Sequence, residues 1–440
     1  MTIFLIVAIA VTVLIGLGIA YLVWLLCRKL EAGVALVMLL FVWETLSVSL
    51  PGIILKLIVY PQDFVFLVLG LAALIRILLL KKFLQTQIVW LAFGFFLFSS
   101  LAIGLVRFGT GAGVEFREYF YFWAGTAYFL SFPGKFDRFA FACRWWIFAS
   151  LVCVATAVFR WSADALGLEM GVAWQAVGAR TPFRVLNAAQ TFLLSQGLLI
   201  LVCKYFRERL SYLEGLMIPI FLVSILILQH RSVWFSVLAS LLLVVLFDKS
   251  ARRKLAGGIG ILVFPLGVFV LALLFVNGSN DVVNSVASSA VEVGASRSSL
   301  TWRIDSWAEL LNSWIHSGPV QYLFGEPFGS GFARFIEGVE GPTVEAPHNY
   351  YVQTLLRVGL IGTLVFLGAY WLVFSDLRHK TSDNKLTGYY VLPVLLFSQL
   401  VFYTGYSASY VQCVLMGFAL LNVRQDNSVV KEHSRLINQT

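Results

Sequence analysis

Charge is scarce in this chain. Only 12% of its 440 residues are Asp, Glu, Lys or Arg, about half the share of a typical soluble domain. Cysteine is scarce as well. All five, Cys27, Cys143, Cys153, Cys203 and Cys413, fall in or beside apolar stretches, so neither a disulfide framework nor metal-ligand spacing is present. No zinc or redox site is expected, and no metal. The sequence also lacks a GxxxxGK[ST] loop, a GxGxxG fingerprint after a strand, and any clear internal repeat. These absences argue against a nucleotide-driven pump and an inverted-repeat transporter, and point to no cofactor.

Apolar residues are what the chain has in abundance. They make up 60% of it, with a mean hydropathy of +0.86, the signature of a polytopic integral membrane protein. A span needs roughly twenty apolar residues. Thirteen such windows are found; the least marked are the short one at 216–228 and the final pair, 387–403 and 407–421, which suit a hairpin that does not fully cross. The expected fold is all-α: a polytopic bundle of 12–13 transmembrane helices with one large loop containing short amphipathic helices. Its divisions are membrane helices 1–10 over residues 1–276, a periplasmic loop at 277–349, C-terminal membrane helices at 350–423 and a cytoplasmic tail at 424–440. The first window has no basic leader and is followed by Arg28-Lys29, which reads as a retained helix.

Positive loops stay on the cytoplasmic side. Alternate loops carry Arg28 and Lys29, Lys81 and Lys82, Lys135 and Arg138, Lys204 and Arg207, Arg252 and Lys254, and Arg378 and Lys380. This register puts the polar segment, residues 277–348, on the opposite side, the periplasm of a bacterium. The net charge of +9 sits mostly in the cytoplasmic loops, where topology requires it, and gives no reason to invoke nucleic acid. On the outer side the basic residues are ten arginines, among them Arg117, Arg180, Arg184, Arg231 and Arg303, against the single Lys56. A guanidinium fork holds phosphate or carboxylate oxygens bidentately and tolerates partial desolvation better than an ammonium. An anionic ligand explains the bias for the set, while single arginines are equally explained by pairing with Asp164, Asp305 or Glu345.

Within the polar segment, Ile304, Trp307, Leu311, Trp314 and Ile315 recur at helical spacing, with Asp305, Glu309 and Asn312 opposite. The pattern predicts an amphipathic, tryptophan-rich helix over 301–315 that lies in the outer interface. Arg303 falls at the edge of its apolar stripe, where it faces either a lipid-borne anion or phospholipid headgroups. A glycine-rich turn follows at 324–332. The segment ends in Pro347-His348-Asn349, with the proline suited to a first helical turn. His348 therefore stands at a helix start, where the dipole disfavours imidazolium. A neutral histidine suits a general base; capping the helix or bonding the loop is the structural alternative. Glu345 either favours the charged ring or orients it.

At this point the residues resemble a family. His348-Asn349, nine residues, then Gly359-Leu360-Ile361-Gly362 is similar to the pattern of bacterial O-antigen ligases and the related lipid-linked polysaccharide polymerases. Arg303 with Trp307, then Leu323-Phe324-Gly325, looks like the start of that family's large periplasmic loop. Gln229-His230-Arg231-Ser232 looks like its arginine at an outer span end, and the stretch from Arg180 to Asn187 like its upstream arginine-bearing approach. Two departures stand out: Glu326-Pro327 replaces small residues, and His230 replaces the small residue common before the arginine. The resemblance covers Arg180 to Gly362.

The resemblance implies a metal-independent, inverting glycosyltransferase of the cell inner membrane, active at the periplasmic face. Its donor would be a glycan on undecaprenyl diphosphate, and its acceptor lipid A core or a lipid-linked repeat unit. His348 would be the catalytic base. Arg184, Arg231, Arg303 and Arg180 would bind the diphosphate, with Arg117, Asn349 and Glu345 as secondary candidates. Of a different class is a transporter or flippase of an anionic lipid-linked sugar. Its expected mark is an ionisable pathway at the bilayer midplane, for which Glu44 is the main deeply placed acid.

Overall fold

A computed structural model describes residues 2–47, 53–54, 58–80, 83–132, 138–166, 168, 184–248, 251–254, 299–336, 341–380 and 387–423. The window at 255–276, loop residues 277–298, Arg180 and the tail 424–440 lie outside them. The described residues are almost wholly helical. In chain order the helices are α1 (Thr2–Arg28), α2 (Leu30–Leu46), α3 (Pro61–Leu78), α4 (Gln85–Phe108), α5 (Thr110–Leu130), α6 (Phe139–Ala165), α7 (Ala188–Arg207), α8 (Tyr212–Ile227) and α9 (Arg231–Phe247). After the undescribed stretch come α10 (Ser299–His316), α11 (Pro319–Phe324), α12 (Tyr350–Lys380), α13 (Thr387–Phe402) and α14 (Gln412–Asn422). Two short strands, Ile53–Ile54 and Ile58–Val59, pair antiparallel. The protein is an all-α polytopic membrane protein, because in lipid a helix satisfies its own backbone polar groups. Five described helices are long and apolar enough to cross: α3, α4, α6, α7 and the portion Tyr350–Asp376 of α12.

Two groups of helices make the bundle. In one, α5 packs against α3, α4 and α14, and α4 against α12; in the other, α7 packs against α6, α8, α9 and α13. The side chains of α7 are buried almost throughout its length. Between the groups, Gln196 of α7 and Gln412 of α14 exchange side-chain hydrogen bonds at 3.0 Å, and the Trp146 indole donates to Gln196 Oε1 at 3.2 Å. Interhelical polar bonds in lipid contribute about 0.6 kcal/mol each on average, and their larger effect here is to fix register in an otherwise apolar seam. Local sequence fixes helix starts: Asn187 Oδ1 accepts from Gln190 N at 2.8 Å to cap α7, and Ser211 with Glu214 caps α8.

The helix expected at 301–315 is α10, but its apolar stripe is covered mainly by protein. Leu310 and Trp314 are buried with Phe332, Val352 and Leu356, and Trp314 stacks on Tyr322 with centroids 4.4 Å apart. Only Ile304 and Ile315 of the stripe stay exposed. Apolar area covered by a neighbouring helix needs no lipid to cover it, so α10 is seated on α12 and the turn after α11.

Helix α12 is broken at Gly359, whose φ of 66° is left-handed. The break is built together with Gly325, φ 82°, which ends α11. A Cβ on Gly325 would lie 2.6 Å from the Arg357 carbonyl carbon, and one on Gly359 would strike the Leu323 backbone. Only two glycines let the chains approach this closely. At the break, the Leu356 carbonyl accepts from Glu326 N at 2.6 Å, which answers the requirement that no backbone group inside a bundle be left unpaired.

Candidate functional site

The glycine turn is pinned by one buried cation. The fully buried Arg357 side chain pairs through Nε with Glu115 of α5, donates from Nη1 to Ser330 Oγ at 2.7 Å and from Nη2 to the Gly331 carbonyl at 2.6 Å, and stands over the Phe332 ring. Glu115 accepts in turn from Gly329 N at 2.7 Å. Arg334 plays a similar part: it donates to Ser306 Oγ of α10 and to the carbonyls of Phe332 and Glu345. Burial holds this guanidinium below its usual pKa, and Glu345 pulls it back up. These two arginines build the loop that carries His348.

Asn349 is a capping residue. Its side-chain oxygen accepts from Tyr351 N at 3.0 Å and Val352 N at 3.2 Å, so α12 begins at Tyr350. Pro347 lies before the cap rather than in the first turn, and His348 projects from the residue preceding it. Gln353 donates to the Pro347 carbonyl and to Ser407 Oγ, tying this approach to the turn between α13 and α14.

That turn is the junction of the site. His348 and Tyr406 face each other with ring centroids 6.1 Å apart, and the Arg303 guanidinium carbon lies 5.5 Å from the Tyr406 centroid. Arg303 Nη1 also approaches the Gly405 carbonyl at 3.5 Å. Ser232 also lies against Gly405: a Cβ on the glycine would be 2.5 Å from its hydroxyl oxygen and 3.8 Å from Arg303 Nη1. Ser232 follows Arg231, the first residue of α9. Arg184, just ahead of α7, donates from Nη2 to the Gln229 carbonyl at 3.1 Å. Arg303 and His348 thus meet at the 405–406 turn, while Ser232, which touches the same turn, follows Arg231, and Arg184 is bonded to the Gln229 carbonyl two residues before Arg231. Glu345 and Asn349 belong to the same loop.

Arg117 belongs elsewhere. It pairs with Asp63 at 2.9 Å and donates to the Ile58 carbonyl at 2.9 Å, over the Tyr60 ring. Glu44 accepts from the Tyr410 hydroxyl at 2.7 Å. Sequence reasoning missed Gly405 and Tyr406, whose only signal is a three-residue polar gap between the last two apolar windows, and it gave no role to Glu115 or Arg357.

The electrostatics favour a neutral His348. Partial burial lowers its pKa first, the Arg303 guanidinium lowers it further, Glu345 opposes, and Arg334 adds to the lowering. The ring remains open to the surface on one side. A neutral imidazole beside a guanidinium can take a proton from a hydroxyl while the cation meets an anion. Among the described residues no three His, Cys, Asp or Glu side chains converge to hold a metal ion.

Residues 216–367 match the family model described as O-antigen ligase. This part of the chain is O-antigen ligase-like. The O-antigen ligase-like stretch runs from α8 through the break in α12 and contains Arg231, Arg303, Glu345, His348 and Asn349; Arg184 and Arg117 precede it. A search of curated proteins gives no match. The match covers 152 of the 440 residues and is a likeness to that family over this stretch.

Proposed function

We propose that the protein transfers a glycan from undecaprenyl diphosphate to an acceptor hydroxyl at the periplasmic face of the bacterial inner membrane, with inversion at the anomeric carbon. The observation that carries this reading is the pairing of Arg303 and His348 across Tyr406. His348 takes the acceptor proton as the hydroxyl oxygen attacks the anomeric carbon. The bond from that carbon to the diphosphate oxygen breaks on the opposite face, and the electron pair leaves with the diphosphate. Negative charge then grows on the leaving group, and fixed cations aimed at developing charge are among the strongest sources of rate enhancement. Arg184, Arg231 and Arg303 supply them, with Arg180 as a further donor.

Purified protein given a lipid-linked donor tests the reaction. Release of undecaprenyl diphosphate with an elongated or transferred glycan supports it; passage of the donor across a liposome bilayer without bond cleavage overturns it in favour of transport. The glycan profile of a deletion strain then separates the two types. Surface caps of a single repeat indicate a lost polymerase, and accumulated lipid-linked polymer with bare core a lost ligase.

A further inference from the structure

The turn joining α8 to α9 is the one place among the described residues where a non-glycine residue adopts positive φ, Gln229 at 54°. Such a conformation is strained for a residue with a Cβ and persists where surroundings enforce it. Here two bonds to the approach of α7 do so: Arg184 Nη2 donates to the Gln229 carbonyl at 3.1 Å, and His230 Nε2 lies 2.9 Å from the Leu186 carbonyl. A carbonyl only accepts, so Nε2 of His230 carries a hydrogen. Burial drives the ring's pKa down to about 4, with the Arg184 charge adding to the drop and the Leu186 bond resisting it. The ring is neutral, and its Nδ1 presents a bare lone pair.

Among the described residues that lone pair has no donor: His230 is only 8% exposed, and its Nδ1 is buried without a hydrogen-bond partner among them. A buried acceptor left unpaired is costly, and this one lies within reach of the Arg184 charge and next to Arg231 in the chain. A phosphate oxygen held by those cations cannot satisfy it, because both atoms are acceptors. The matching group is a hydroxyl or amide N–H attached next to the phosphate-bearing carbon.

Resting on the glycosyl diphosphate reading above, we propose that His230 determines donor specificity: its Nδ1 accepts a hydrogen bond from the hydroxyl or acylamino N–H at C2 of the first sugar. The arginines hold the diphosphate and the histidine reads the sugar beside it. Where a small residue precedes the arginine, this acceptor is missing.

The test measures binding of three synthetic probes by the full-length protein in nanodiscs: undecaprenyl diphosphate carrying a 2-hydroxy, a 2-acetamido or a 2-deoxy monosaccharide. The wild type is expected to bind the 2-deoxy probe about tenfold more weakly than the better of the other two. His230→Gln keeps a donor for the Leu186 carbonyl but places no acceptor at the Nδ1 position, so its ratio should fall to near one. His230→Asn places an oxygen there and should keep part of the discrimination, a pattern that a purely structural histidine would not give. Equal binding of all three probes by the wild type, or undiminished discrimination in His230→Gln, overturns the proposal while leaving the glycosyl diphosphate reading in place. Failure of the wild type to bind any of the three overturns both.

Discussion

The Arg303 guanidinium and the His348 imidazole share one tyrosine, Tyr406, which the cation approaches to 5.5 Å and the imidazole faces at 6.1 Å between ring centroids. Across it the cation lowers the pKa of the histidine. In the proposed reaction one feature does two things: Arg303 meets the leaving group and keeps the base unprotonated.

The first consequence is a pH profile. A base must be neutral, so activity falls as pH drops through the pKa of His348, which lies below the ordinary histidine value. Removing the cation in Arg303→Gln raises that pKa, and the acidic limb of kcat/KM should move to higher pH. His348→Ala should abolish transfer while the protein remains folded in the membrane. An acidic limb that stays put in Arg303→Gln removes the electrostatic link, and normal product from His348→Ala removes the base.

Arg231→Lys keeps the charge and loses the planar fork. If bidentate contact with the diphosphate matters, kcat/KM should fall about a hundredfold, the scale of losing one transition-state donor. Activity within a factor of three of the wild type would show that a point charge suffices.

Gly359→Ala places a side chain at φ 66° and against the Leu323 backbone. Left-handed strain alone costs about 1–2 kcal/mol, and the steric conflict adds to it. Thermal unfolding in detergent should show a clearly lower Tm. An unchanged Tm would mean that the break in α12 relaxes freely.

Among the described residues, Glu115→Gln removes the nearer of two carboxylates about the buried Arg357 charge, leaving only Glu326 at 3.9 Å. Breaking a buried pair in this way costs about 3–5 kcal/mol, so the variant should unfold at lower temperature. Protease sensitivity within residues 325–332 should rise first, since Glu115 and Arg357 both hold that turn. Uniform sensitivity along the chain would contradict a local role.

Much of the bundle was legible because a transmembrane helix is a local object. Apolar length predicts α3, α4, α6 and α7 with no knowledge of partners. The amphipathic pattern at 301–315 likewise predicts α10, although hydropathy could not say that α12 rather than lipid covers Leu310 and Trp314. His348 and Arg303 stood out because ionisable residues are rare here. Gly405 and Tyr406 did not, since nothing in their own chemistry separates them from an ordinary turn.

Sequence alone determined the residue types: a membrane chain poor in charge, arginines rather than lysines among the polar residues, and a histidine at a helix start. Tertiary structure decided which of them meet. Arg117 is committed to Asp63, Arg334 and Arg357 hold the loop, Arg303 meets His348 at one turn, and Arg184 bonds the turn ahead of Arg231. Composition and periodicity act over a few residues, whereas these pairings join positions 28 to 242 residues apart. Such contacts exist only once the helices have packed and the two glycines at 325 and 359 have let the chains close on each other.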